Sequence, residues 1–216
     1  MYYYTLSCGL IFANFPYICT MSRLILASKS PRRQELLAAM GYIFDIIVRE
    51  TDETFPNYYN PEEAVRFISA NKAKVFQDLA QERVVLSADT IVVLDDKILG
   101  KPKDAAGAFT MLQSLSNRSH EVMTACTLYY KKQLETFVEI TRVKFAALTE
   151  EEIQGYIASG KPMDKAGAYG IQDWIGQIAI TQIEGSYTNV VGLPTATLYS
   201  ILKEKYSFLE KSSPLS

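Results

Sequence analysis

The stretch from residue 83 to residue 146 constrains the fold most strongly, because its apolar runs are separated by two-residue polar turns. Residues 83–94 are rich in Val, Ile and Leu, and Asp95-Asp96 turns the chain back into a short second strand. Two longer strands are predicted over 120–146, on either side of Lys131-Lys132. Turns of this length join antiparallel strands. The stretch therefore predicts a sheet that contains hairpins.

Helix signals alternate with the strands along the rest of the chain. Ser30 is expected to cap a helix that has Pro31 in its first turn and ends before Gly41. Further helices are predicted from Asn60-Pro61 onward, over 104–115, over 149–160 with a Thr149/Glu152 capping box, and from Pro194 to about 206. Other strands are predicted over 24–28, 42–48 and 175–183. Together these elements predict an α/β fold with a mixed, largely central sheet flanked by helices.

The composition is that of an ordinary globular protein and excludes some functional classes. Hydrophobic residues make up 48% of the 216 residues and charged residues 21%, unlike disordered or membrane proteins. A net charge of -2 provides no basic field, so stable nucleic-acid binding is not expected and any anion must be held by a local cluster. Cys8, Cys19 and Cys126 form no CxxC pair and predict reduced thiols in a cytoplasmic protein.

The first twenty residues are apolar and aromatic but lack the features of a secretory signal. No Lys or Arg precedes Arg23, and Pro16 interrupts the apolar run. The run is also too mixed to predict a membrane-spanning helix. A strand-like segment follows Met21 almost at once, so we expect translation to begin there. Residues 1–20 are therefore predicted to be a non-native or disordered extension, and residues 21–216 a single domain.

The segment Ser28-Lys29-Ser30-Pro31-Arg32-Arg33 lies where a predicted strand ends and a helix begins. Such a junction offers unpaired backbone N–H groups and the positive end of a helix to a phosphate. Arg32 and Arg33 suit a triphosphate because guanidinium groups form bidentate bonds to phosphate oxygens. The alternative interpretation is a well-capped helix with solvated arginines.

Asp89 and Thr90 lie within the most apolar predicted strand. A carboxylate in such a strand is costly unless it is paired, hydrogen-bonded or bound to a cation. Asp89 is therefore a candidate for binding a metal or taking a proton from an attacking water, and Thr90 offers its hydroxyl to the substrate. The alternative is an aspartate that caps a turn at the end of a strand.

The segment Asp164-Lys165-Ala166-Gly167-Ala168-Tyr169-Gly170-Ile171-Gln172 contains small residues that let backbone approach a ligand closely. Gln172 carries the donor and the acceptor needed to recognise the edge of a uracil or thymine base. A glycine-rich turn with an Asp-Lys ion pair is the alternative. Lys72 and Lys101 are further candidates for phosphate binding, although single lysines are usually solvated. The segment Gly185-Ser186-Tyr187-Thr188-Asn189-Val190-Val191-Gly192-Leu193-Pro194 is interpreted as mainly structural.

Other chemistries have little support in the sequence. His120 is the one histidine and lies in a predicted strand remote from any evident nucleophile, so a Ser-His-Asp or Cys-His mechanism is disfavoured. The chain contains no G-x-x-x-x-G-K-[ST] loop, and no G-x-G-x-x-G follows the first strand. Because the candidate ligands are carboxylates, the expected metal is Mg²⁺ or Mn²⁺.

The segments SKSPRR, SADT, GKP, DKAGAYGIQ and GSYTNVVGLP, in this order, resemble the Maf-like nucleotide pyrophosphatases over Arg23 to about Leu202. The resemblance implies a mixed α/β fold like that of Maf and inosine triphosphate pyrophosphatases, with a deep cleft between two lobes, and a homodimer. It makes Asp89 the proton acceptor. It gives a role in substrate specificity to Arg32, Thr90 and Gln172, and it lines the site with Ser28, Arg33, Lys72, Lys101, Asp164 and Lys165.

The ADT and GAYGIQ strings are similar to those of the dTTP/UTP pyrophosphatases of this family. The expected reaction is hydrolysis of dTTP and UTP, and of modified pyrimidine nucleotides, to the monophosphate and diphosphate with a divalent metal. Asp89 is a candidate metal ligand, and Glu35, Asp52 and Glu53 are further candidates. Asp173 departs from the pattern, since many relatives have glycine there. The alternatives are a pyrophosphatase for a modified purine nucleotide and a non-catalytic regulator of cell division that binds nucleotide or nucleic acid.

Overall fold

The computed structural model describes residues 22–212, and the predicted extension at residues 1–20 lies outside this range. Seven strands form one mixed sheet in the order β2-β1-β3-β5-β6-β7, with β4 paired to β3. The strands are β1 (Leu24–Leu26), β2 (Phe44–Ile46), β3 (Val85–Leu94), β4 (Lys97–Leu99), β5 (Ser119–Tyr130), β6 (Gln133–Phe145) and β7 (Ile180–Glu184). The pair β1–β2 and the pair β1–β3 are parallel, and the other pairs are antiparallel.

Helices cover the sheet, which confirms the predicted mixed α/β fold. They are α1 (Pro31–Ala39), α2 (Pro61–Lys74), α3 (Ala105–Leu115), α4 (Glu150–Ala158), α5 (Trp174–Ala179), α6 (Tyr187–Val191) and α7 (Thr195–Lys205). Local signals start several of them, as predicted. Asn60 with Glu63, and Thr149 with Glu152, form complete capping boxes, and the Asp104 side chain accepts a hydrogen bond from Gly107 N.

An opening in the sheet beside β3 positions the site. β1 pairs with β3 only at Val85 and Leu86, whereas β4 pairs with β3 only from Val92 onward. Residues 87–91 are therefore paired with β5 on one edge and lie at an opening on the other. The core divides at the same place, because Leu86 packs in one hydrophobic cluster with α1 and α7, and Val92 packs in another with α3 and α4.

Two predictions of local structure were wrong. The segment predicted as a strand over 175–183 begins with helix α5 and becomes strand β7 only at Ile180. Tertiary packing overrides the β-branched composition here, because the helix buries Ile175 and Ala179 on one face and places Gly176 directly against Ile171 O. Ser30 does occupy the N-cap position of α1, but its side chain makes no capping bond.

None of the helices described between residues 22 and 212 combines the length and the apolar character needed to cross a bilayer.

Candidate active site

A cleft of about 420 Å³ lies at the opening in the sheet. Asp89 and Thr90 lie in the middle of this opening, and because they are adjacent on a strand their side chains point to opposite faces of the sheet. The open edge lets one cleft reach both side chains. The candidate residues that line it are Arg32, Arg33, Glu53, Lys72, Asp89, Thr90, Lys101, Asp164 and Lys165.

Arg33, in the first turn of α1, is held by three acceptors. Its Nε donates to the Gly192 carbonyl at 2.8 Å, its Nη2 to Thr90 Oγ1 at 3.0 Å, and its Nη1 to Ser28 Oγ at 3.4 Å. Burial lowers the pKa of Arg33, partly offset by the nearby Asp89 carboxylate, and an arginine remains charged at neutral pH. The cleft therefore contains a fixed positive charge. Ser28 does not line the cleft itself and acts on it through Arg33.

The bond from Arg33 to Thr90 continues into the interior as a closed ring. Thr90 Oγ1 is 2.9 Å from Thr124 Oγ1, and the Thr124 hydroxyl donates to the Asn189 carbonyl at 3.0 Å. The same carbonyl accepts from Gly192 N at 3.0 Å, and Gly192 O in turn holds Arg33. We call these five residues the Arg33 ring. It joins α1, β3, β5 and α6, so four separate elements fix one side of the cleft.

Lys72 of α2 bridges two carboxylates on the other face of β3. Its Nζ lies 2.5 Å from Asp89 Oδ1 and 2.9 Å from Glu53 Oε1, and the Lys72 and Asp89 side chains are only 16% and 15% exposed. Burial raises the pKa of Glu53, but the hydrogen bond and charge of Lys72, together with Lys101 and Arg33, outweigh it and lower the pKa below its usual value. Two carboxylates, those of Glu53 and Asp89, therefore converge on the Lys72 amino group in the cleft.

The glycine-rich segment forms the facing side of the cleft through two short 3₁₀ turns, Lys161–Asp164 and Ala166–Ala168. Lys165 Nζ donates to Lys161 O at 2.6 Å and to Asp164 Oδ1 at 2.7 Å, and it lies 3.4 Å from Asp173 Oδ2. Asp164 also lies 3.7 Å from Arg32 Nη1. The positive charge of Lys165 is therefore largely offset by the carboxylates of Asp164 and Asp173.

Asp173 links this segment to helix α4 through Lys165 and Tyr156. The Tyr156 hydroxyl donates to Asp173 Oδ2 at 2.7 Å. A Cβ at Gly170 would come within 2.7 Å of the same Asp173 oxygen and 2.8 Å of Lys165 Cε, so a larger residue would have to displace these two side chains. Asp173 thus points inward and supports the backbone that lines the cleft, rather than facing solvent or the cleft itself.

Tyr169, which also lines the cleft, is anchored to the sheet by His120. The tyrosine hydroxyl lies 2.7 Å from His120 Nε2, and both rings pack edge to face with Phe145. Burial lowers the pKa of His120 to about 4, so the imidazole is neutral at physiological pH. His120 is therefore a buried histidine that holds Tyr169 in place.

Besides Ser28, three candidate residues do not line the cleft. Gln172 is exposed, Glu35 lies on the exposed face of α1, and Asp52 bonds to Thr54 in an exposed turn. Conversely, Phe55, Tyr169, Ile171 and Gly192 line the cleft but were not singled out as site residues. The GSYTNVVGLP segment has the expected structural role, since Ser186 caps α6, but it also supplies the Gly192 carbonyl that holds Arg33.

The fold and the site define a class of α/β protein with a cationic cleft that carries a carboxylate pair. Residues 23–205 match the family model described as Maf-like protein, and the chain belongs to that family. A protein of Bacillus cytotoxicus named dTTP/UTP pyrophosphatase is 49% identical over 184 residues, covering 85% of this chain and 96% of that protein. A protein of Flavobacterium psychrophilum with the same name is 46% identical over 182 residues, covering 84% and 93%. The solved structure of a HAM1 protein from Coxiella burnetii has a TM-score of 0.47 at 14% identity, covering 85% of this chain and 100% of that one.

Proposed function

We propose that this protein is a nucleoside triphosphate pyrophosphatase that hydrolyses dTTP and UTP to the nucleoside monophosphate and diphosphate. The observation that carries the proposal is that Arg33, Lys72 and Lys101 line one cleft together with the carboxylate of Asp89. Three cationic side chains suit the charge of a triphosphate, and a carboxylate among them is positioned to act on water. The Maf-like family and the names of the relatives support the same reaction and the same pyrimidine substrates.

In the proposed reaction a water oxygen bonds to the α-phosphorus while the bond from that phosphorus to the bridging oxygen of the β-phosphate breaks. Asp89 accepts a proton from the water, and the diphosphate leaves with the bridging oxygen. Lys72 orients the Asp89 carboxylate through its short ion pair. Arg33 and Lys101 stabilise the negative charge that develops on the phosphate oxygens.

The carboxylates of the cleft fit a magnesium or manganese ion that arrives with the triphosphate. Within residues 22–212, no three His, Cys, Asp or Glu side chains are grouped as a metal site. However, Glu53 and Asp89 share Lys72, so two hard oxygen ligands converge. Mg²⁺ is commonly bound by one or two carboxylates together with substrate phosphates. Asp89 and Glu53 would hold the ion, which when bound neutralises phosphate charge.

A role in substrate specificity is assigned to Arg32, Thr90 and Gln172, which stays a prediction for each of them. Thr90 and Arg32 line the cleft, whereas Gln172 is exposed at the end of the segment that lines it. Gln172 would reach a base once its exposed side chain turned towards the nucleotide. A homodimer, a cytoplasmic location and the absence of stable nucleic-acid binding also stay predictions.

The deciding experiment supplies purified protein with canonical and modified triphosphates and magnesium, and measures monophosphate, diphosphate and orthophosphate. We expect monophosphate and diphosphate in equal amounts, with dTTP and UTP turned over fastest. Release of orthophosphate alone would refute the proposed bond cleavage. Fastest turnover of a modified purine triphosphate would replace the pyrimidine assignment, and tight binding without turnover would favour the regulator of cell division.

A further inference from the structure

The Arg33 ring determines the direction of the hydrogen bond that Thr90 makes. A carbonyl oxygen can only accept, so Thr124 must donate its single hydroxyl proton to Asn189 O. Thr124 Oγ1 therefore acts as the acceptor in its 2.9 Å contact with Thr90, and Thr90 donates its proton there. Arg33 Nη2 meanwhile donates to Thr90 Oγ1. The Thr90 proton and one of its two lone pairs are thus both used inside the protein.

One lone pair of Thr90 remains for a ligand. The ring members that cause this are inaccessible to a ligand, because Thr124 and Asn189 are both 0% exposed. Asn189 is itself fixed, since its Nδ2 donates to Val122 O at 3.0 Å and to Thr141 Oγ1 at 2.9 Å. The opening in the sheet at residues 87–91 leaves Thr90 accessible from the cleft. Towards a ligand in the cleft, the Thr90 hydroxyl can therefore act only as a hydrogen-bond acceptor.

An acceptor at this position discriminates among nucleotide groups. It has no proton for an ionised phosphate oxygen or for N3 of cytosine, both of which are acceptors. The N3–H group of uracil and thymine is a donor and is shared by dTTP and UTP. Resting on the proposed function, we propose that Thr124 is a positioning residue that makes the cleft selective for pyrimidines with an N3–H group. It does so by holding the Thr90 proton away from the substrate.

The test compares three variants of β5 with the unmodified protein, using kcat and KM for UTP, dTTP, CTP and N3-methyl-UTP. Thr124→Val keeps the shape of the side chain but removes the acceptor for the Thr90 proton. Thr124→Ser keeps the hydroxyl. Thr127→Val is the matched control, because Thr127 is also 0% exposed on β5 and bonds to Ser69 and Thr136 outside the Arg33 ring.

We expect Thr124→Val to reduce the UTP-over-CTP ratio of kcat/KM by about 5- to 150-fold, the range covered by leaving one buried hydrogen-bonding group unpaired. The change should lie mainly in KM, since a hydrogen bond to the base is altered and not the reacting groups. Thr124→Ser and Thr127→Val should retain the ratio, even if Thr127→Val lowers the melting temperature as much as Thr124→Val does.

An unchanged ratio in Thr124→Val, or equal slowing of UTP and CTP through kcat, would overturn the proposal. If that variant does not fold, the unmodified protein still decides, because equal turnover of N3-methyl-UTP and UTP contradicts recognition of N3–H. Failure of the proposed function looks different, since the unmodified protein would then release no diphosphate from any of these nucleotides.

Discussion

The two sides of the cleft are built in different ways. In the strand wall, formed by Arg33, Asp89 and Thr90, hydrogen bonds that lead to the buried Thr124 and Asn189 hold Arg33 and Thr90, and the largely buried Lys72 holds Asp89. The loop wall, residues 164–171, has no strand. It is anchored by His120 at Tyr169, and the rest of it is held by ion pairs of Lys165, one of whose partners, Asp164, is 67% exposed. Exposed ion pairs are screened by water and contribute little, whereas buried bonds hold a fixed geometry. The difference assigns catalysis and the fixed contact of Thr90 to the strand wall, and adjustable recognition to the loop wall.

Asp89→Asn tests the strand wall most directly. The amide keeps the shape of the side chain but removes its charge and its capacity to take a proton. We expect turnover of UTP to fall by about 10²- to 10⁴-fold, with a larger loss if metal binding also fails. Single-turnover assays measure this loss, and an unchanged melting temperature excludes unfolding as its cause. Near-normal turnover would remove Asp89 from the reaction.

Low pH should destabilise the fold by protonating His120, which anchors Tyr169 of the loop wall. Its pKa of about 4 in the folded protein lies below the ordinary value of 6.5, so between these values the unfolded chain binds more protons. The unfolding free energy should therefore decrease as the pH falls from 6.5 to 4, by up to roughly 3 kcal/mol from this group. Urea unfolding across this range measures it.

The control for that experiment is His120→Gln, which stays neutral and retains a hydrogen-bonding group for Tyr169. Its unfolding free energy should depend less steeply on pH than that of the unmodified protein. Equal pH dependence in the two proteins would mean that protonation of His120 does not loosen the anchor.

Gln172→Ala tests whether Gln172, the residue that follows the loop wall, contacts the base. If it does, removing the amide should narrow the preference for UTP over CTP by about 1–3 kcal/mol, because the correct base loses bonds that the wrong one never made. Steady-state kcat/KM for both nucleotides measures the preference. An unaltered preference would indicate that Gln172 stays in solvent, and equal slowing of both nucleotides would indicate a role other than base recognition.

Asp173→Asn should have the smallest effect. The amide can still accept from Tyr156, but it loses the charge that attracts Lys165. We expect KM for UTP to rise by about 2- to 10-fold, equivalent to about 0.5–1.5 kcal/mol, with little change in kcat. The control is Asp95→Asn, which removes an exposed ion pair with Arg118 far along the chain from the loop wall. If both variants behave alike, Asp173 does not support the loop wall.

Local chemistry made the architecture predictable from the sequence. The turns at Asp95-Asp96 and Lys131-Lys132 have the positive φ angles of two-residue hairpin loops, and they lie where the polar pairs predicted them. The capping boxes at Asn60 and Thr149 also depend only on residues three positions apart. Motif content likewise predicted the family, and most of the candidate site residues line one cleft.

Only the tertiary structure decided which side-chain groups are accessible in the cleft and how they are oriented. The bond from Arg33 to Gly192, the inward position of Asp173 and the exposure of Gln172 depend on segments far apart in the chain, and no local pattern encodes them. Helix α5 formed against the strand-like composition for the same reason, since its buried face was chosen by packing. Short-range sequence signals specify helices, strands and turns because residues close in the chain are always close in space. The direction of the Thr90 hydroxyl proton is different, because it requires α1, β3, β5 and α6 to be packed together.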